Sequence, residues 1–266
     1  NRMTSRSAPG RLREWIPEAT LLVATTAAGL WAGGRWLDPS SDPGIWWSLP
    51  QRLASGERLY RDLYLQYGPL SVHLFSGIVR LFDGSLRCIL LLNWIPAVLA
   101  GVLLLRAARP FLSTLERLVL CAILLGVGLF APGAGRVVFP YCPGAMHALC
   151  FSLVALMPLG EEEGEDGRTR LRDYAAGILA GMAFCSKQEI GVAAIVGLLA
   201  AALLQTGGAR RAARTLAGFA TVAVIGAAVV LTSAPLESLR LDSHVWPLAL
   251  APPPEWRTLF QMIAGI

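Results

Sequence analysis

Apolar positions in this chain gather into seven long runs, at about 16–36, 86–105, 118–132, 144–159, 174–186, 190–205 and 215–233, separated by stretches rich in charge, glycine or proline. The first run, roughly 20 residues, is long enough as an α-helix to cross about 30 Å of hydrocarbon. The longest polar interval falls between the first run and the second, and it holds two shorter patterned segments. Asp42-Pro43-Gly44 is a turn signal, and the aromatics and leucines that follow through Ala54 predict a helix lying at an interface. Residues 71–82 are largely apolar but too few to cross, and they contain His73 and Arg80, so they read as a second amphipathic helix at that interface. The pattern predicts an all-α, polytopic membrane helix bundle of seven spans, with amphipathic helices in its first outer loop.

Arginine sets the orientation, because the cytoplasmic loops of membrane proteins carry the basic residues. With residues 1–15 inside, as Arg2, Arg6, Arg11 and Arg13 direct, the inside loops become 106–117, 160–173 and 206–214, and these four segments hold 13 of the 22 arginines. The outside segments are 37–85, 133–143, a tight hairpin at Lys187, and 234–266. Counting 71–82 as a span would put three arginine clusters outside. The chain therefore divides into a cytoplasmic start at 1–15, a membrane core at 16–233, and an outer segment at 234–266. That last segment is expected to begin a longer remainder, since the chain stops inside an apolar stretch. A basic start before an apolar run is also the mark of a signal peptide, but this run is too long for one and more spans follow.

Composition agrees with the pattern. Hydrophobic residues make up 55% of the chain and charged residues only 15%, the profile of an integral membrane protein. The net charge of +5 does not point to nucleic acid, because the arginines stand at the ends of apolar runs and not along one amphipathic face. The five cysteines lie mostly within apolar segments without metal-ligand spacing and read as small buried hydrophobes, a disulfide between Cys142 and Cys150 being the weaker alternative. The acidic run at 161–166 is a solvated loop with little influence on orientation.

Candidate chemistry concentrates in 38–70, where Asp38, Asp42 and Asp62 stand among Arg52, Arg58, Arg61 and the aromatics Trp46, Trp47, Tyr60, Tyr64 and Tyr67. Loops on a rigid scaffold carry function disproportionately, and the plain alternative is a loop covering helix ends. Asp42 offers a carboxylate at the membrane surface, the placement a general base for an acceptor hydroxyl requires and equally that of a helix cap. Asp62 has the simpler alternative of pairing with a neighbouring arginine. Lys187 is the single lysine against 22 arginines, and it stands at the junction of two short apolar helices. An ionisable group near membrane depth needs a partner or a ligand. Pairing with Glu189, or snorkelling to the interface, satisfies that need. So does a phosphate, which a compact ammonium suits. Gly177, Gly181 and Gly191 nearby allow close helix packing.

These residues carry a resemblance. Asp42 with Gly56 beyond it, Leu59-Tyr60-Arg61-Asp62, Tyr67-Gly68-Pro69-Leu70, Leu81-Phe82-Asp83-Gly84 and Arg87 resemble the first outer loop of the GT-C glycosyltransferases of the protein-mannosyltransferase and aminoarabinose-transferase type. Ala180-Gly181-Met182-Ala183-Phe184-Cys185-Ser186-Lys187-Gln188-Glu189 resembles the glycine-rich helix and lysine hairpin of the same group. The likeness covers most of 16–250. It implies a seven-span core whose first outer loop is the active site, a polyprenyl-phosphate sugar as donor, a lipid, glycan or protein as acceptor, and neither cofactor nor metal. It implies an integral protein of the bacterial inner (plasma) membrane, surrounded by membrane lipids and acting on the periplasmic or extracellular side.

Carried over position by position, the resemblance makes Asp42 the catalytic base, with Asp38 and Asp62 as secondary candidates. Lys187 would contact the donor phosphate together with Arg136, and Tyr60, Arg61, Tyr67, Tyr141 and His147 would line the substrate. The chain departs from the family where Asp42 sits between Ser41 and Pro43 instead of in an acidic pair, and where the second outer loop offers Arg136, Tyr141 and His147 in place of an acid. Two other classes share the topology. A lipid or solute transporter would place its charges within the spans, whereas here they cluster outside. A non-catalytic membrane assembly protein would tolerate loss of Asp42.

Overall fold

The structure, a computed structural model, describes residues 14–32, 42–63, 65, 67–82, 86–129, 142–157, 167–205 and 207–233. These fold into nine α-helices with no strand among the described residues: α1 (Ile16–Ala32), α2 (Asp42–Ala54), α3 (Pro69–Phe82), α4 (Leu86–Ala107), α5 (Thr114–Ile123), α6 (Pro143–Leu156), α7 (Gly167–Ser186), α8 (Gln188–Leu203) and α9 (Gly208–Ser233). A π-turned segment, Leu124–Leu129, continues α5. The fold is all-α, and α2 and α3 occupy the polar interval between the first apolar run and the second.

Helix bounds depart from the apolar runs where polar residues cap or pair. α5 begins at Thr114, ahead of its run, because a capping box closes its N-terminus: the Glu116 N–H donates to the Ser113 hydroxyl and the Ser113 N–H donates to the Glu116 carboxylate, at 2.7 Å. α7 begins at Gly167 and α9 at Gly208, so arginines read as loop residues lie on helices. The reason is a shared anchor, Asp173 on α7, which takes Arg211 and Arg214 of α9 at 3.1 Å each.

A helix stands at each of the seven expected spans, several of them short of span length. By length and composition one described helix, α9, is able to cross a membrane, while α3, Trp94–Ala107, α6 and α8 are apolar but shorter. At about 1.5 Å per residue, α8 reaches only about 24 Å against roughly 30 Å of hydrocarbon.

α7 is the centre of the bundle, with α6, α8 and α9 packed on it and α3 at its side. Glycine makes the α7–α9 contact close: a methyl group on Gly177 would lie 1.9 Å from the Thr215 carbonyl oxygen, and one on Gly218 would lie 2.2 Å from that of Tyr174. The partners Asp173 and Arg211, Gly177 and Thr215, then Gly181 and Val222 climb both helices together, so α7 and α9 run parallel and α8 returns between them. α1 packs on α4 and α5. Its first turns are held by a buried ion pair between Glu18 and Arg117, a pair between Glu14 and Arg109, and Arg106 over the Trp15 ring. Cys121, Cys142, Cys150 and Cys185 are buried and in no disulfide, so Cys142 and Cys150 are not bridged.

Candidate functional site

The interval between the first two apolar runs is a small folded unit. Trp46, Leu49 and Leu53 of α2 meet Val72 and Phe75 of α3, and Leu59, Leu63 and Leu65 of the connection close over them with Cys142. The spacing 46, 49, 53 is one stripe of a helix, and each leucine buried there contributes roughly 1.5–3 kcal/mol. The connection turns tightly: Tyr60 N–H donates to the Leu63 carbonyl at 2.8 Å and Asp62 N–H to that of Arg58 at 2.9 Å. This turn sets Tyr60 at φ 65°, a left-handed conformation unusual for an aromatic residue. The Tyr60 hydroxyl secures it by donating to the Tyr67 carbonyl at 2.7 Å. Burial pushes the Tyr60 phenol above its ordinary range, so it stays a neutral donor.

Two glycines bring the corner between α7 and α8 against this unit. A methyl group on Gly68 would lie 2.1 Å from the Cys185 carbonyl oxygen, and one on Gly144 3.0 Å from that of Ser186 and 3.4 Å from the Trp46 ring. Only hydrogen at these positions lets the start of α3 and the start of α6 touch the backbone just before Lys187. Lys187 itself is the extended residue that separates α7 from α8, at φ −150° and ψ 113°. Its Nζ lies 4.8 Å from the centroid of the Tyr67 ring, a cation–π contact. No Lys187–Glu189 ion pair forms within 4 Å, and Glu189 is exposed.

From Tyr67 the contacts continue inward. Its ring stacks on Trp46 at 6.1 Å and 20°, Trp46 meets Phe75 edge-on at 6.0 Å, and Phe75 meets His147 edge-on at 5.3 Å. His147 Nδ1 shares a hydrogen bond of 2.9 Å with the Ser71 hydroxyl. Lys187, Tyr67, Trp46, Phe75, His147 and Ser71 thus form one continuous row from α2, α3, α6 and the α7–α8 corner. Aromatic pairs in such geometries add about 0.5–1.5 kcal/mol beyond burial, which stiffens the wall facing the lysine.

Tyr60, Tyr67, His147 and Lys187 are therefore brought together. Arg61 and Asp62 are not: both are exposed, paired with each other at 3.7 Å, and the Asp62 carboxylate accepts from the Arg58 N–H at 2.9 Å to close the turn. Asp42 is the first residue of α2, one helical turn before Trp46; its side chain lies outside what the structure describes. Asp38, Arg136 and Tyr141 lie outside the described residues as well. Gly144, Ser71 and Phe75 are not singled out by sequence reasoning, and Gly68 enters it only within the motif Tyr67-Gly68-Pro69-Leu70, with no packing role. The signals for three of them were present, since Gly68 precedes a proline and Ser71 and Phe75 stand four apart on one helix face. Among the described residues no cluster of three histidine, cysteine or carboxylate side chains is placed to hold a metal.

The arrangement presents one half-buried ammonium, an aromatic face and a hydrogen-bonded histidine–serine pair on a rigid wall. An ammonium so placed, with no carboxylate within ion-pair distance among the described residues, suits an anionic group of a ligand. Set against family models, curated proteins and solved structures, the chain matches none.

Proposed function

We propose that the chain is a polytopic membrane transferase that moves a sugar from a polyprenyl-phosphate donor to an acceptor at the outer face of the membrane. The observation that carries this reading is the lone lysine, held by glycine contacts at a helix junction and set over Tyr67 instead of a carboxylate. A cation at that depth, with no ion pair to a carboxylate among the described residues, has its natural complement in a lipid phosphate. Membrane residence is supported by the outer surface of the bundle. α9 is only 11% buried across its apolar window, and Leu30 and Leu204 are 80% and 89% exposed. Large apolar side chains displayed so fully suit a hydrocarbon surround, and short helices such as α6 and α8 are accommodated by local thinning of the bilayer.

In the reaction, Asp42 accepts the proton of the acceptor hydroxyl as its oxygen bonds to the anomeric carbon. The bond from that carbon to the phosphate oxygen breaks, and the lipid phosphate leaves with the electron pair. Lys187, with Arg136, stabilises the charge that develops there. Tyr67 fixes the ammonium, and the Trp46–Phe75–His147 row fixes Tyr67.

The test is sugar transfer by the protein in nanodiscs from polyprenyl-phosphate donors. Asp42→Asn is expected to fold, bind donor and lose about 10² to 10⁴ of turnover, the contribution of a general base. Asp38→Asn and Asp62→Asn serve as controls. Unchanged transfer by Asp42→Asn removes it as the base, because asparagine caps a helix about as well as aspartate.

A further inference from the structure

α3 presents two stripes. Val72, Phe75 and Val79 turn toward α2, whereas His73, Ser76, Gly77 and Arg80, rotated by about 100° around the helix axis, line a cleft of about 410 Å³. The cleft opens between α3, the residues just after α2, and the C-terminal end of α9 at Thr232 and Ser233.

Its polar lining is cationic and incompletely satisfied. Arg80 uses Nη2 to reach the Leu53 carbonyl at 3.2 Å, which leaves the rest of its guanidinium uncommitted. Arg58 forms no ion pair among the described residues. The carboxylate on the wall, Glu57, is already held by both Nε and Nη2 of Arg52, at 2.8 and 2.5 Å, so its charge is offset. Ser76 is only 4% exposed, and its hydroxyl has no hydrogen-bond partner among the described residues. Thr232 donates its hydroxyl proton to the carbonyls of Ala228 and Val229 and offers none to a ligand. A methyl group on Gly77 would meet nothing within 4 Å, so the floor beside Ser76 stays open.

Two guanidinium groups and a serine hydroxyl that opens on the cleft, with no unpaired carboxylate in the described lining, form a donor set for a tetrahedral oxyanion. Guanidinium forks match phosphate oxygens in pairs, and the serine supplies a further donor. We infer that this cleft binds a phosphate-bearing group, as a second anion site on the opposite stripe of α3 from the Lys187 corner. The inference stands on the cleft alone and does not depend on the transferase reading. A phospholipid headgroup and a soluble phosphate compound share the chemistry.

Both sources are separable with the protein in phosphatidylcholine nanodiscs. One arm titrates inorganic phosphate; the other replaces part of the lipid with phosphatidylglycerol and follows its retention on the protein by native mass spectrometry. Saturable binding is expected in at least one arm, and the arm in which it occurs identifies the source. Arg58→Gln removes an exposed side chain that forms no ion pair among the described residues, and it should weaken binding about 10- to 100-fold, the loss of a charge-assisted hydrogen bond. Arg80→Lys keeps the charge but not the fork and should weaken it less. Arg61→Gln, three residues away and outside the cleft, should have little effect. No saturable binding in either arm, or equal losses in Arg58→Gln and Arg61→Gln, overturns the site.

Discussion

At the scale of single residues, small side chains set the geometry and charged ones use it. Gly68 is the clearest case: it lets the start of α3 touch the backbone of Cys185, and so puts Tyr67 beneath Lys187. Gly68→Ala must push these segments apart, and overpacking of this kind costs about 1–3 kcal/mol. Thermal unfolding in nanodiscs should show that loss. Gly197→Ala, where a methyl group meets nothing within 4 Å, should be neutral or slightly stabilising, as alanine is in any helix. Equal midpoints for the two variants would contradict the close approach. Sequence alone marked Lys187 as a residue in need of a partner, and it offered Glu189, two positions away. The contact found instead is with Tyr67, 120 residues upstream, and nothing in local pattern announces a pairing over that distance. The same limit hid the partners of Arg80 and His73. They argued against a span at 71–82, but their cleft appears only when the end of α9 is folded beside them.

Among the helices, periodicity and length gave the elements well and their ends poorly. Asp42–Ala54 matches the helix expected from the turn signal and its aromatics, and 71–82 falls within Pro69–Phe82. The starts of α7 and α9 were missed because their polar first turns look like loop when read one segment at a time. They become helix when Asp173 takes Arg211 and Arg214 across the α7–α9 contact. Asp173 and those arginines sit far along α7 and α9 from Lys187 and Ser233, so the basic anchors and the aromatic corner lie toward opposite ends of this helix pair. In a membrane, that separation predicts opposite sides. Ser55 and Arg170 are both exposed, and the described native cysteines are buried. An impermeant thiol reagent applied outside intact cells should label Ser55→Cys at once and Arg170→Cys only after permeabilisation. Equal labelling of the two would rule this orientation out.

For the whole molecule, a helix bundle with an apolar exterior carries a small aromatic unit docked against the corner that bears Lys187. All-α architecture and apolar helices were legible from composition and run length, because burial in either lipid or protein demands the same pattern. The way α2 and α3 dock on the α7–α8 corner was not, since it rests on two glycines and a stack of rings from distant segments. The claim that gives this docking its purpose is that Lys187 holds the donor's phosphate. The direct measurement is the affinity of a polyprenyl-phosphate sugar for the protein in nanodiscs, with the wild type, Lys187→Ala and Glu189→Ala compared. The account predicts that Lys187→Ala loses about 2–5 kcal/mol of binding, the scale for removing one partner of a poorly solvated charge pair, while Glu189→Ala binds nearly as the wild type does. Normal donor binding by Lys187→Ala, with a loss in Glu189→Ala instead, would contradict it.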